Sequence, residues 1–150
     1  WPVYAAGEPL TTQAAPNDGL RLLGRLSSGQ LLSWMAKAAI FALPARYEPF
    51  GLSALEAALA GCALVLGDIP SLREIWGKAA WFVSPDKPEA LAGALQQLIA
   101  QPARLAELAA RAREVASQYA PERMAASYML AYRYVLEQSQ SPGPREALAA

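Results

Sequence analysis

The residues best placed to do chemistry lie in one stretch, "PARYEPFGLSALEAALAG", residues 44–61. Glu48 stands in a loop context between Pro44 and Gly51. Glu56 follows after seven intervening residues, inside an Ala/Leu run of helical composition. A carboxylate can move a proton, hold a cation, or accept hydrogen bonds from hydroxyls. Gly51 frees the backbone for unusual dihedrals or for close approach of a ligand, and Pro49 pins the turn before it. A helix starting directly after such a loop presents exposed amides and the positive end of its dipole, which suit a phosphate. The pattern therefore offers an anion site with a carboxylate on either side of it in the sequence.

Composition removes several alternatives. The chain has no histidine, hence no imidazole base, no Ser-His or Cys-His nucleophile pair and no histidine metal ligand. The lone cysteine, Cys62, excludes an intrachain disulfide and a CxxC cluster, and reads as a small core residue. Thirteen basic and thirteen acidic side chains cancel, so a nucleic-acid partner is not expected. No apolar run reaches the roughly 18–20 residues of a membrane span, and no signal-peptide pattern opens the chain. The expected location is cytoplasmic. The start at Trp1, already inside an apolar stretch, suits one domain of a longer protein.

The elements that must position these residues follow from the hydrophobic pattern. Short apolar runs at residues 3–6, 20–23, 40–43, 63–66 and 80–83 alternate with helical patterns. This predicts an α/β, Rossmann-like domain with a mostly parallel sheet flanked by helices. None of the runs alternates with polar residues, so each is expected to be buried on both faces. Ser27 or Ser28 can cap a helix in which Leu31, Leu32, Met35 and Ala39 recur. Pro88, Pro102 and Pro121 each suit a first helical turn, giving three closing helices. The domain is expected to span residues 1–138. Residues 139–150 read as a flexible tail, and residues 8–19 leave no room for more than a rudimentary connecting helix.

In an open parallel sheet, ligands bind beyond the carboxyl ends of the strands, which singles out the loops "AAGEP", "GRLSS", "PARYEPFG" and "GDIPSL". On a helical wheel begun at Leu52, Leu55 and Leu59 fall on one side and Glu56 on the other. Glu56 is thus expected to flank the apolar face, with Ala54 and Ala57 toward solvent. A half-buried carboxylate needs hydrogen bonds, and ribose hydroxyls would supply them. On wheel position alone, a surface acid complementing the helix dipole remains the simpler account of Glu56. Glu48 taken alone reads as a solvated loop acid, and Trp34, Trp76 and Trp81 as core or rim packing.

The segment "LPARYEPFGLSALEAALAGCALVLGDIPSLREIW" resembles the donor-binding half of family 4 glycosyltransferases, which have the two-domain GT-B fold. The likeness extends from about Gly24 to Leu136. It implies a retaining, metal-independent transferase that takes a nucleotide diphosphate-sugar as donor, with no cofactor. It implies further that Glu48, the catalytic candidate, bonds a donor-sugar hydroxyl near the reacting centre. The amides of Phe50, Gly51 and Leu52 would hold sugar hydroxyls or the diphosphate, Ser53 would open the phosphate-facing helix, and Glu56 would grip the ribose. The partner implied is the N-terminal acceptor domain of the same protein, toward which the helix from Pro121 would pack. Where the family has a diglycine followed by Leu-Pro-Glu, this chain has Pro70 and Ser71, then Leu72, Arg73 and Glu74. The family's diphosphate-neutralising Arg and Lys lie upstream of these residues, so the fragment is not expected to catalyse transfer alone. Two other readings stand beside this one: a non-catalytic glycosyltransferase-like interaction module, and a storage-glucan phosphorylase or synthase that would bind oligosaccharide.

Overall fold

The computed structural model describes residues 1–8 and 19–140, with side chains as far as residue 138. Two strands open the chain, β1 (Val3–Ala6) and β2 (Leu20–Gly24), paired in parallel with a register shift at Ala5/Ala6. Helix α1 (Ser28–Met35) then leads to β3 (Ile40–Leu43), α2 (Leu52–Ala60) and β4 (Ala63–Gly67). The short α3 (Pro70–Trp76) and a 3-10 turn (Gly77–Ala79) precede β5 (Trp81–Val83), after which come α4 (Pro88–Ala100), α5 (Pro102–Ser117) and α6 (Pro121–Gln140). Strands β3, β4 and β5 form a second parallel sheet in that order, with Ile40 opposite Ala63 and Val65 opposite Trp81. The expected α/β class with parallel strands and flanking helices is the one observed.

Local chemistry accounts for the boundaries. Ser27 caps α1 and forms a capping box with Gln30, whose side chain accepts the Ser27 N–H at 2.9 Å. Pro88, Pro102 and Pro121 each occupy the first residue of their helix, where the missing N–H costs nothing. Pro70 does the same for α3, a helix hidden in the sequence inside the "GDIPSL" loop. Helix α1 stops at Met35, so Ala39 lies beyond it, and α6 continues through Ser139 to Gln140, two residues into the expected tail. The rest of that tail, and most of the expected rudimentary connection at 8–19, lie outside the described residues.

Only β4 has the burial expected of every strand. All five of its residues are buried, with Leu64 and Leu66 in a core built with α1, α2 and α3, and with Ala112 and Ala116 of α5. Val65 faces the opposite way, against Val83 and against Ala94 and Leu98 of α4. A run covered by helices on both faces has no position for a polar residue. In β1 and β2, by contrast, Val3, Tyr4, Leu20 and Leu22 are exposed, because only part of this strand pair is covered: Tyr4 packs on Trp34 of α1, ring centroids 4.5 Å apart. The described residues divide into two units, the first ending at Ala116 and the second beginning at Ser117. In the second unit, residues 121–138 of α6 are all exposed, Met124, Tyr128, Leu130, Tyr132 and Leu136 among them.

Candidate functional site

The loop between β3 and α2 carries Glu48 at the carboxyl end of the parallel sheet, where a ligand crevice is expected. Contacts from the end of β4 and from beyond β5 keep this loop close to the rest of the unit. Gly67, the last residue of β4, passes so near it that a Cβ there would stand 2.2 Å from the Ala45 carbonyl oxygen. Arg46 reaches across to Asp86 beyond β5, with Nε to Oδ1 at 2.6 Å. Neither contact has a pattern in the sequence; the second joins residues forty positions apart.

Within the loop, Glu48 is half-buried and its carboxylate folds back on the chain. Its Oε1 accepts the N–H of Gly51 at 2.9 Å and that of Phe50 at 3.4 Å. The amides of Phe50 and Gly51, which the resemblance assigns to a donor, are thus engaged by Glu48 itself. Gly51 adopts φ +83°, a left-handed conformation that side chains disfavour, and a Cβ there would meet Leu72 Cδ2 at 3.1 Å. This turn sends the chain directly into α2. No side chain caps the start of α2, so the first-turn amides from Leu52 and Ser53 onward are open to an acceptor from outside the loop.

The face of α2 turned to the protein is not the leucine face. Ala54, Ala57 and Ala58 are wholly buried, whereas Leu52 is 67% and Leu59 48% exposed, with Glu56 exposed between them. This overturns the wheel reading, which put Glu56 against the buried face and Ala54 and Ala57 toward solvent. The physical reason is distance: alanines let α2 lie close against β4 and Leu72, and close approach selects small side chains over the most hydrophobic ones. Glu56 needs no hydrogen bonds to offset burial. It stands one helical turn beyond Leu52, on the accessible side of the helix whose start is uncapped.

Neighbouring groups set the electrostatics. Asp68, after β4, is bonded by Arg73 of α3 through both of its oxygens, Nη2 to Oδ2 at 2.8 Å. That hydrogen bond, aided by the guanidinium charge, holds the Asp68 carboxyl below the usual carboxylate range. Arg73 also lies 4.5 Å from the Phe82 ring centroid. Arg46 and Arg73 therefore each already carry an acidic partner. Ser71, at the second residue of α3, donates its hydroxyl to the Glu48 carbonyl at 2.6 Å. Among the described residues no group of three His, Cys, Asp or Glu could hold a metal ion, and no helix is long and apolar enough to cross a membrane. Cys62 is buried and its Sγ donates to the carbonyls of Met35 and Ala38, at 3.2 and 3.3 Å, as suits a core thiol.

The family model for glycosyl transferases group 1 matches residues 8–118, which contain the whole β3–α2–β4–α3 arrangement. The chain belongs to that family. A glycogen synthase of Mycobacterium tuberculosis is 34% identical over 128 residues, covering 83% of this chain and 31% of the relative. A D-inositol 3-phosphate glycosyltransferase of Rhodococcus erythropolis is 35% identical over 96 residues, covering 63% of this chain and 22% of the relative. Among solved structures, a sucrose-phosphate synthase from Thermosynechococcus elongatus superposes with a TM-score of 0.72 and 26% identity, over 81% of this chain and 31% of that one. The Anabaena protein HepE, in complex with UDP and glucose, has the same TM-score at 20% identity, over 87% of this chain and 40% of that one. These neighbours have the GT-B architecture, so the group 1 chain has the fold of a GT-B half. It spans between a fifth and a third of the length of the curated relatives it matches, 31% of the glycogen synthase and 22% of the inositol phosphate glycosyltransferase.

Proposed function

We propose that this group 1 domain binds the nucleotide diphosphate-sugar donor of a retaining, metal-independent glycosyltransferase, as one half of a longer two-domain enzyme. One observation carries the reading. Glu48, an uncapped helix start and the exposed Glu56 follow one another along the crevice edge of a parallel sheet, in a chain of this family. Glu56 offers two acceptor oxygens to a pair of ribose hydroxyls. The α2 amides meet the diphosphate, whose negative charge grows as the anomeric C–O bond breaks. Glu48, one oxygen of which is already fixed by Gly51 N–H, turns the other to a hydroxyl of the sugar. The amides of Phe50 and Gly51 contribute by fixing Glu48 rather than by touching the donor. The complexes of HepE with UDP and with UDP-glucose support this placement by fold alone.

The acceptor domain and the cations that balance the diphosphate belong, in this reading, to the longer protein, since Arg46 and Arg73 are paired with Asp86 and Asp68. The likeness to a glycogen synthase favours an α-glucan as acceptor. Incubating the full-length protein with UDP-, GDP- and ADP-glucose and glucan oligosaccharides, and following release of the nucleoside diphosphate, tests both points. Turnover that needs oligosaccharide supports a glucan synthase. Turnover with other acceptors alone removes the glucan, and donor neither bound nor turned over leaves an interaction module.

A further inference from the structure

We propose that Ser71 is a positioning residue for the donor sugar, acting through Glu48; this rests on the donor-site reading above. The Ser71 hydroxyl donates to the Glu48 carbonyl at 2.6 Å, joining the start of α3 to a loop 23 residues earlier. The same glutamate receives the Gly51 and Phe50 amides on its carboxylate. Glu48 is therefore held at both ends, its main chain by Ser71 and its side chain by the turn that follows. Pro70 at the first position of α3 fixes the backbone from which the hydroxyl projects. Leu72, the next residue, packs against Gly51, so the two elements meet along a seam rather than at a point. A carboxylate that must meet one sugar hydroxyl gains most from such a frame, because small misplacements of a reacting group are costly.

The frame bears on Glu48, at the sugar end of the site, and makes no contact with Glu56, which stands on α2 at the ribose end. Removing the hydroxyl alone should therefore weaken what the sugar adds and spare what the nucleotide contributes. In the full-length protein, Ser71→Ala is expected to lower affinity for the nucleotide-sugar by about 2- to 13-fold, the range for one neutral hydrogen bond of about 0.5–1.5 kcal/mol. Affinity for the nucleoside diphosphate alone should stay at the wild-type value, and Ser71→Thr, which keeps a hydroxyl, should restore the nucleotide-sugar affinity. Amide hydrogen exchange at Gly51 supplies a readout that needs no ligand: it should quicken in Ser71→Ala and return in Ser71→Thr. Equal loss for nucleotide and nucleotide-sugar, or unchanged Gly51 exchange in Ser71→Ala, overturns the proposal. Absence of donor binding by the wild-type protein is a different failure: it sinks the donor-site reading and, with it, the sugar role given to Ser71.

Discussion

Gly67→Ala is the sharpest test of how β4 and the Glu48 loop are fitted together. A Cβ at residue 67 would stand 2.2 Å from the Ala45 carbonyl oxygen and 3.0 Å from its nitrogen. Ordinary carbon–oxygen contacts begin at about 3.3 Å, so either the end of β4 or the loop must retreat by about 1 Å. Both partners are backbone, β4 is buried along its whole length, and neither can swing aside as a side chain would. Overpacking of this kind costs about 1–3 kcal/mol, and the backbone setting argues for the upper end, about 3 kcal/mol. In a domain of this size that corresponds to a fall of about 10 °C in melting temperature. Gly93, in the middle of α4, is the control, since a Cβ there meets nothing within 4 Å. Gly93→Ala should raise stability by about 0.5–1 kcal/mol through helix propensity alone. Thermal and urea unfolding of the two variants decide the matter. A Gly67→Ala protein that melts with the wild type, or below which Gly93→Ala melts, would refute the close approach.

Leu64 lies wholly buried in the core under α2 and α3, so Leu64→Ala should lower unfolding free energy by about 2–5 kcal/mol in urea titrations. Burial pushes the Cys62 thiol above its ordinary value. The unfolded thiol, ionising near pH ~8.5, then loses its proton first, so the Cys62 contribution is constant below that pH and stability falls as pH rises beyond it. A Cys62→Ala or Cys62→Ser variant should lack that alkaline component, and alkylation of the native protein should proceed no faster than unfolding.

The sequence carried the strand positions and most helix starts because those are local: an apolar run, or a proline after a turn, can be read without knowing its neighbours. β4 was legible even in its burial, since a run of Ala, Leu, Val, Leu and Gly has no side chain suited to water. What failed was the assumption that the most hydrophobic face of a helix is its buried face. On α2 the contact distance chose Ala54, Ala57 and Ala58, and left Leu52 and Leu59 exposed beside Glu56. β1 looks as apolar as β4, and β2 nearly so but for Arg21, yet both keep exposed side chains, because burial depends on what packs over a strand as well as on its own composition. Within the site, Glu48 and Glu56 announced themselves by type and spacing. Ser71, Gly67 and the Arg46–Asp86 pair did not, since each acts on a residue at least 22 positions away and a single sequence holds no record of such contacts. The helical start at Pro70 was the one signal that could have shown α3, and with it Ser71, to be part of the site.

In the proposed donor site, Glu56 and the start of α2 receive the nucleotide. Calorimetric titration of the full-length protein with UDP, GDP and ADP, for wild type and Glu56→Ala, tests this placement most directly. Glu56 is exposed and its loss should leave the melting temperature unchanged. The wild type should bind at least one of these nucleotides saturably. In Glu56→Ala that binding should weaken by about 13- to 160-fold, because hydrogen bonds to a charged group are worth about 1.5–3 kcal/mol. Binding left untouched by Glu56→Ala, or no binding to any of the three, would contradict it.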